Sequence, residues 1–576
     1  MGGLGFDIGN ENSVVAITVK PKVEVHVLPN DESKFETPSV VTFAKKKRQI
    51  GSTMTTSSNS STQQFPPHAK STISQIKRLV GKLFEDLDMD NELQFLPFGI
   101  TEGGDGGILI HVNYLDEDRE YTPVQILAML LSHLKQTAER NLGESVSDCV
   151  IGIPSYFTDR ERTAFLDAAK IAELNPQQLI HEGTAIALGY GFDNKTTSEF
   201  KDSPVYIVFV DIGNSDTQVT IASFHGGQGV KILSHAADAN LGGRDFDRLL
   251  FNNFAEEFRN SYELDIGCHH HLPGIRLMTA CEKLKRVLTT NFEAHITIES
   301  LMEDKDMQGC ITREDFEELS VDLLERIVVS CEKALVDAGL TVYDIYSIEL
   351  VGSGSRIPAI SRILAEFFRR VPSRQLSASQ CIAQGCAIQS ALLGQNSTNK
   401  NYKVSDSLPF PIWFVGKSSD GMLLTKGHTI PQPILLTFRR KTRTFYFSIL
   451  SGHEDGMLQN SFSRAVRCFK VGRFKLNGNE LAYIDVKILL DVNGIVTIEG
   501  ATLNKGTRME GKIYHDCKDI QVSEIAPIGM TEDDIAEAKT IEKWLINHDI
   551  CVEETQRSKN DLENFVYDTR KKVTNK

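Results

Sequence analysis

The stretch FDIGNENSVVAIT, Phe6 to Thr18, decides how this chain is read, because residues 210–222 write it again as VDIGNSDTQVTIA. Six of the thirteen positions are identical: Asp, Ile, Gly, Asn, and then Val and Ile in alternation. Each copy reads as a strand, a tight turn at glycine and a second strand. A glycine at the tip of such a hairpin lets backbone N–H groups come close to a bound anion. An Asp at the end of the first strand can hold a divalent cation, usually through water. Asp-x-Gly also marks ordinary hairpin turns, but its recurrence at the same place in two half-domains favours a clamp that grips a metal-bound polyphosphate from both sides.

A third glycine-rich element sits further on. IELVGSGSRIPAISRIL (348–364) reads as a strand, the loop Gly352-Ser353-Gly354-Ser355-Arg356 and a helix with Pro358 early. Small residues ahead of a helix let a planar base or a phosphate lie against backbone. With the two hairpins, this fits an ATP site split between two lobes.

The 576 residues exceed one domain and suggest roughly three or four folding units. Hydrophobic residues at 41% and charged residues at 24% fit a globular protein. With 62 Lys+Arg against 77 Asp+Glu, the net charge of −15 argues against nucleic-acid or anionic-membrane binding. The N-terminus does not read as a signal peptide, and no run of about 18 apolar residues suggests a transmembrane helix. The ten cysteines contain no CxxC pair, so we expect reduced thiols in a cytoplasmic or nuclear protein.

Residues 1–395 alternate β-branched runs with amphipathic stretches, which implies an α/β domain. SVVAITV, CVIGIP, VYIVFVDIG and VTIASF read as strands; 123–142 and 158–174 read as helices, the second with Thr158 as N-cap and Glu161 three residues on. Residues 396–408 read as a linker. The texture then turns all-β over 409–525, with Asn493-Gly494 as a strong hairpin signal. Residues 526–576 read as a short helical segment, with apolar residues at Ile535, Ala538, Ile541 and Leu545 and again at Leu562, Phe565, Val566 and Val573.

The two hairpins resemble the phosphate loops of the actin, sugar-kinase and heat-shock-seventy ATPase superfamily. QIKRLVGKLF (75–84), CVIGIPSYFTDRERTAFLDAAKIAEL (149–174), LIHEGTAIALGYG (179–191), NLGGRDFDRLLFNNF (240–254), CEKLKRVL (281–288) and VGSGSRIPAI (351–360) are similar to heat-shock-seventy ATPase motifs, in order. NDESKFETPSVVTF, SIELVGSGSRIPAI and LPFPI are in the style of the large, divergent heat-shock-one-hundred-ten branch. The resemblance implies an actin-like two-lobed α/β ATPase domain, a β-sandwich peptide-binding domain and a partial helical lid.

It also implies a site for ATP or ADP with Mg2+. Asp7 and Asp211 would hold the hydrated metal, and Gly9, Asn10, Gly213 and Asn214 would cradle the phosphates. Lys77 would reach the terminal phosphate as a fixed positive charge. Glu182 would help order the attacking water. Glu282, Lys285, Arg286 and Thr289, at i, i+3, i+4 and i+7, would lie on one helix face toward ribose and base. Gly352, Ser353 and Gly354 would complete the pocket, with Arg286 and Arg356 sandwiching the adenine. Taken singly, Lys77-Arg78 also reads as a solvated pair, Glu182 as a helix-start carboxylate and 282–289 as a charged face.

The departures from hydrolysing members are informative. Their loop threonines are replaced by Asn10 and Glu11, the second loop is Asn214-Ser215-Asp216, and an expected Asp is Gln218. Gly183 stands for a proline and Ser379 for an acidic residue. One carboxylate about 4 Å from a phosphate charge costs about 4 kcal/mol at an effective dielectric of 20, before metal compensation. Binding through many contacts survives such a change better than hydrolysis, which depends on fine positioning. The expectation is an ATP-binding chaperone that turns ATP over slowly, exchanges nucleotide on a heat-shock-seventy partner and holds unfolded polypeptide clients. An ATP-cycling foldase and a metabolite kinase on the same fold are the alternatives.

Four smaller features have bland readings. His269-His270-His271 reads as a surface loop, Lys45-Lys46-Lys47-Arg48 as an exposed turn, 52–62 as a polar loop, and Cys381 with Cys386 as core.

Overall fold

The computed structural model describes residues 2–19, 24–52, 71–86, 92–93, 95–193, 203–226, 229–267, 272–394, 402–416, 419–440, 444–451, 466–472, 474, 482–509, 512–525 and 527–574. The three histidines at 269–271 and all but the first residue of 52–62 lie outside them.

The doubled motif becomes doubled topology. In the first lobe, β1 (Leu4–Ile8) and β2 (Asn12–Val19) form an antiparallel hairpin with Asp7 opposite Val14. Helix α1 (Pro123–Leu142) begins at Thr122, whose side chain and that of Gln125 cap each other's backbone N–H. β3 (Asp148–Ile153) runs parallel to β1 and is buried from Cys149 onward, as its unbroken apolar run requires. Helix α2 (Asp159–Ile171) has the Thr158–Glu161 capping box read from the sequence. β4 (Asn175–His181) pairs in parallel with β3 and leads directly into α3 (Glu182–Asp193).

The second lobe repeats this plan. β5 (Val205–Ile212) and β6 (Thr217–Phe224) form the second hairpin, with Asp211 opposite Gln218, and β7 (Gly229–Asp238) extends it. Helices α4 (Gly243–Tyr262) and α5 (Leu272–Leu288) pack together outside it. β8 (Ile345–Val351) runs parallel to β5, as β3 does to β1, and leads through a 3-10 turn (Ser353–Arg356) into α6 (Pro358–Phe368). Helix α7 (Cys381–Leu393) then returns to the first lobe and lies on β1 through Gly3 and Gly5. A Cβ on Gly5 would meet the Ala387 backbone at 2.2 Å, so the helix rides closer than any side chain allows. Cys381 and Cys386 are buried on it, in the core.

Residues 403–407 continue the second lobe. As β9 (Lys403–Ser407) they pair in parallel with β7, Gly229 opposite Lys403. Beyond them a five-stranded and a four-stranded antiparallel sheet enclose a core that includes Phe414, Phe438, Phe447, Phe469, Ile484 and Val486. The hairpin of β10 (Ala482–Leu490) and β11 (Val496–Met509) turns at Asn493-Gly494, with Gly494 at φ +72°.

That hairpin tip docks on α2. Arg162 Nη1 donates to the Asn493 carbonyl at 2.8 Å, and Leu179 N donates to Asn493 Oδ1 at 2.9 Å. Arg467 Nε meets Asp159 Oδ2 at 3.2 Å. Met530 N donates to Asp167 Oδ2 at 2.9 Å where the chain leaves the sandwich.

Helix α8 (Glu532–Thr574) follows a Thr531–Asp534 cap. Ile535, Ala538 and Leu545 are buried in the first lobe's core, while Leu562, Phe565, Val566 and Val573 are exposed. The basic run at 45–48 corrects the exposed-turn expectation at its last residue. Arg48 opens a strand, its side chain is 1% exposed, and it meets Glu542 Oε2 at 2.7 Å and Asp549 Oδ2 at 2.8 Å on α8. Lys47 reaches Glu553 at 2.6 Å. Partners 500 residues away leave no mark in local composition. Among the described residues, no helix is long and apolar enough to cross a membrane.

Removing Arg48 leaves the buried Glu542 carboxylate uncompensated, a change that costs about 3–5 kcal/mol. Arg48→Met should therefore release α8 while the lobe core stays folded. Amide exchange should speed up across 535–550 and not across 126–138; unchanged protection of 535–550 would contradict this packing account.

Candidate functional site

Both hairpin tips, the turn after β8 and the inner face of α5 open on one cleft of about 460 Å³ between the lobes. Asp7, Gly9, Asn10, Lys77, Glu182, Asp211, Gly213, Asn214, Glu282, Lys285, Arg286, Thr289, Gly352, Ser353, Gly354 and Arg356 all line it, so the structure brings every expected site residue together. Asp7 and Asp211 sit near the ends of the equivalent strands β1 and β5, both buried. Gly352 has φ +77°, and a Cβ there would strike the Ile212 carbonyl at 2.2 Å; the turn closes against the second hairpin only as glycine. The Gly213 and Asn214 carbonyls accept from Gly243 N at 3.0 Å and Arg244 N at 2.8 Å, which ties the second hairpin to the start of α4.

Charge in the depth of the cleft is unbalanced. Lys77 is ion-paired with Glu182, and Asp7, Asp211 and Asp216 stand around them. Burial pushes Asp7 up to about 7, with Glu182 and Asp216 adding to the rise and Lys77 opposing it. Burial also raises Asp211 well above the usual carboxylate range, helped by Glu182, Asp216 and Asp7. Glu182 is raised by burial against the pull of Lys77. Burial works against the Lys77 ammonium, yet Glu182, Asp216 and Asp7 hold its pKa above the ordinary value. Four carboxylates against one ammonium leave an excess of hard oxygen donors, the donor type that a divalent cation such as Mg2+ would suit.

Several participants were not singled out as site residues. In the sequence Asp216 stands out only as a departure from a loop hydroxyl. Gln218 is fully engaged: its Nε2 donates to Glu182 and, at 3.1 Å, to Asp216 Oδ2, while its Oε1 accepts from Ser155 N at 2.9 Å. Asp247, pushed up to about 6 by burial, takes Lys285 Nζ at 2.7 Å. Only the packing of α4 on α5 brings that pair together. The two asparagines of the doubled motif meet: Asn10 Nδ2 donates to Asn214 Oδ1 at 2.7 Å.

Next to Glu182 lies a second junction. His181 ends β4, His235 lies on β7 and Asp406 on β9, and all three are buried. Asp406 stands 3.1 Å from His181 Nδ1 and 3.0 Å from His235 Nε2. Arg162 Nη2, which can only donate, is 2.9 Å from His181 Nε2, so the His181 proton belongs on Nδ1, facing Asp406. Thr220 Oγ1 meets His235 Nδ1 at 3.0 Å. Burial lowers His181 to about 4, with Arg162 and His235 contributing against Asp406. The two histidines hold the Asp406 carboxyl well below its ordinary range despite burial.

The sequence profile of the family described as Hsp70 protein matches residues 3–576. Heat shock 70 kDa protein 16 of Arabidopsis thaliana is 43% identical over the whole of this chain and 78% of its own length. The 97 kDa heat shock protein of Strongylocentrotus purpuratus is 36% identical over 87% of this chain and 56% of its own length. Heat shock protein hsp88 of Neurospora crassa is 31% identical over the whole of this chain and 83% of its own length. The chain thus spans between about half and four fifths of these relatives.

The junction carries a signed pH dependence. Folded His181 takes its proton only near pH 4, whereas the unfolded ring does so near its ordinary 6.5. The unfolded chain binds more protons between those values, so stability rises with pH across the window and is lost as pH falls from 6.5 toward 4. Amides of 403–407 should exchange faster, relative to their intrinsic rates, at about pH 5 than at about pH 7.5. In His181→Gln that difference should shrink. An equal difference in both proteins would remove His181 as its source.

Proposed function

Because this chain belongs to the Hsp70 protein family, alongside large heat-shock proteins of its divergent branch, we propose that it is an ATP-binding chaperone of the heat-shock-one-hundred-ten type. In this reading it accelerates nucleotide exchange on a heat-shock-seventy partner and holds unfolded polypeptide on its β-sandwich domain. Asp7 and Asp211 hold hydrated Mg2+, which supplies charge neutralisation for the phosphates. The hairpin amides at Gly9 and Gly213 bind those phosphates, Lys77 adds a fixed positive charge, and Arg286 and Arg356 flank the base.

One observation carries the emphasis on binding over turnover. The position opposite Asp211 is the amide Gln218, locked between Glu182, Asp216 and Ser155, while the carboxylate stands at 216 in the phosphate loop itself. Glu182 is therefore already held by Lys77 and Gln218. A carboxylate engaged on both oxygens is a poor organiser of an attacking water. The Lys77–Glu182 pair keeps slow hydrolysis within reach, so an ATP-cycling foldase is the second reading.

ADP release from a heat-shock-seventy partner, followed with a fluorescent nucleotide, should accelerate when this protein and ATP are added; no acceleration contradicts the exchange role. Single-turnover hydrolysis should be slow. Asp216→Thr, which removes the loop carboxylate and restores a hydroxyl, should raise it roughly tenfold, about 1.4 kcal/mol in the barrier. A wild-type rate equal to that of a foldase, or no response to Asp216→Thr, would count against the latch reading.

A further inference from the structure

The residues that depart from the hydrolysing pattern also join the lobes at the mouth of the cleft. Glu11 follows Gly9-Asn10 in the first hairpin, and its Oε1 lies 3.0 Å from Arg286 Nη2 on α5 of the second lobe. Its other oxygen, Oε2, accepts from Asn214 Nδ2 at 3.3 Å in the second hairpin. Asn214 Oδ1 in turn accepts from Asn10 Nδ2. Gln75 Oε1, in the first lobe, takes Asn10 Nδ2 and also Arg244 Nη1 of the second lobe, the latter at 3.0 Å. Apart from the Asn10–Gln75 bond, which lies within the first lobe, these contacts cross from lobe to lobe and could not form if the lobes parted.

We propose that Glu11, with Asn10 and Asn214, is an interlobe clasp that retains nucleotide, and that Glu11 is its ionic element. The proposal rests on the reading of the cleft as a nucleotide site. Three features favour a clasp over incidental surface contacts. Glu11 uses both carboxylate oxygens, one on each of two second-lobe elements. One nitrogen of Arg286, Nη2, is shared between Glu11 and Glu282 of its own helix, so two carboxylates hold the same end of the guanidinium. The deeper Asn10–Asn214 bond is shielded, whereas Glu11 and Arg286 are 38% and 65% exposed, so the clasp opens from the solvent side. If this exposed ion pair holds the cleft closed over a nucleotide, release should depend on ionic strength.

The test uses the full chain and a fluorescent ADP. Glu11→Gln keeps the shape and removes the charge, and it should release the nucleotide about two- to fivefold faster. Adding Asn214→Ala should bring the change to about tenfold. Raising salt should speed release from the wild type and leave Glu11→Gln nearly unaffected. Unchanged release in both variants, with unchanged salt response, would overturn the clasp. A dye pair, one on each lobe, separates this from failure of the nucleotide reading. If the wild type binds no nucleotide, that reading fails, and the clasp then stands only if Glu11→Gln/Asn214→Ala still lowers energy transfer between the lobes.

Discussion

A buried carboxylate must be compensated, and Asp406 is hydrogen-bonded to His235 Nε2 of the second lobe at 3.0 Å and lies 3.1 Å from His181 Nδ1 of the first. His181 comes from the first lobe and His235 from the second, while Asp406 belongs to the strand that leads to the β-sandwich. Each lobe supplies one imidazole within about 3 Å of the carboxylate, so the environment of the strand depends on both lobes holding their places. With β9 seated, the sandwich that follows it lies within reach of α2. Arg162 links the two events: one guanidinium touches His181 at the junction and the Asn493 carbonyl at the hairpin tip. Lobe closure, strand docking and sandwich docking thus share side chains.

The nucleotide cleft is coupled to this junction by covalent adjacency. Glu182 follows His181, and its carboxylate holds Lys77 and Gln218. A shift of β4 that releases Asp406 must also move Glu182, the group nearest the proposed chemistry. On the proposed reading, the excess of carboxylates at Asp7, Asp211, Asp216 and Glu182 calls for a cation, which would have to offset them for a polyphosphate to bind. The same excess, with Glu182 already engaged, offers little freedom to organise water. On the proposed reading, an ATP site of this kind works by staying occupied, and the proposed clasp from Glu11 to Arg286 serves that end.

The fold was legible where a local pattern carries a physical requirement. The doubled Asp-Ile-Gly-Asn marked two equivalent hairpins, Thr158 with Glu161 marked the start of α2, and Asn493-Gly494 marked the sandwich hairpin. The cleft residues were legible through a resemblance that spans ordered motifs, and the fold collects all of them. What local sequence withheld was every contact made across lobes or domains. Arg48 looked like part of an exposed basic run because Glu542 and Asp549 lie on the far end of the chain. Asp406 looked like a linker residue because neither histidine is near it in sequence. Asn10 and Asn214 were noticed as an echo, yet only the facing of the hairpins shows that each is the other's partner.

The central claim is that seating the Asp406 carboxylate couples the sandwich to the lobes. Native-state amide exchange on Asp406→Ala tests it most directly. The account predicts loss of protection at 403–407 together with the hairpin tip at 491–495, while β1, β3 and α1 keep theirs. Retained protection at 491–495, with 403–407 released, would show that the sandwich docks without the junction and would contradict the account.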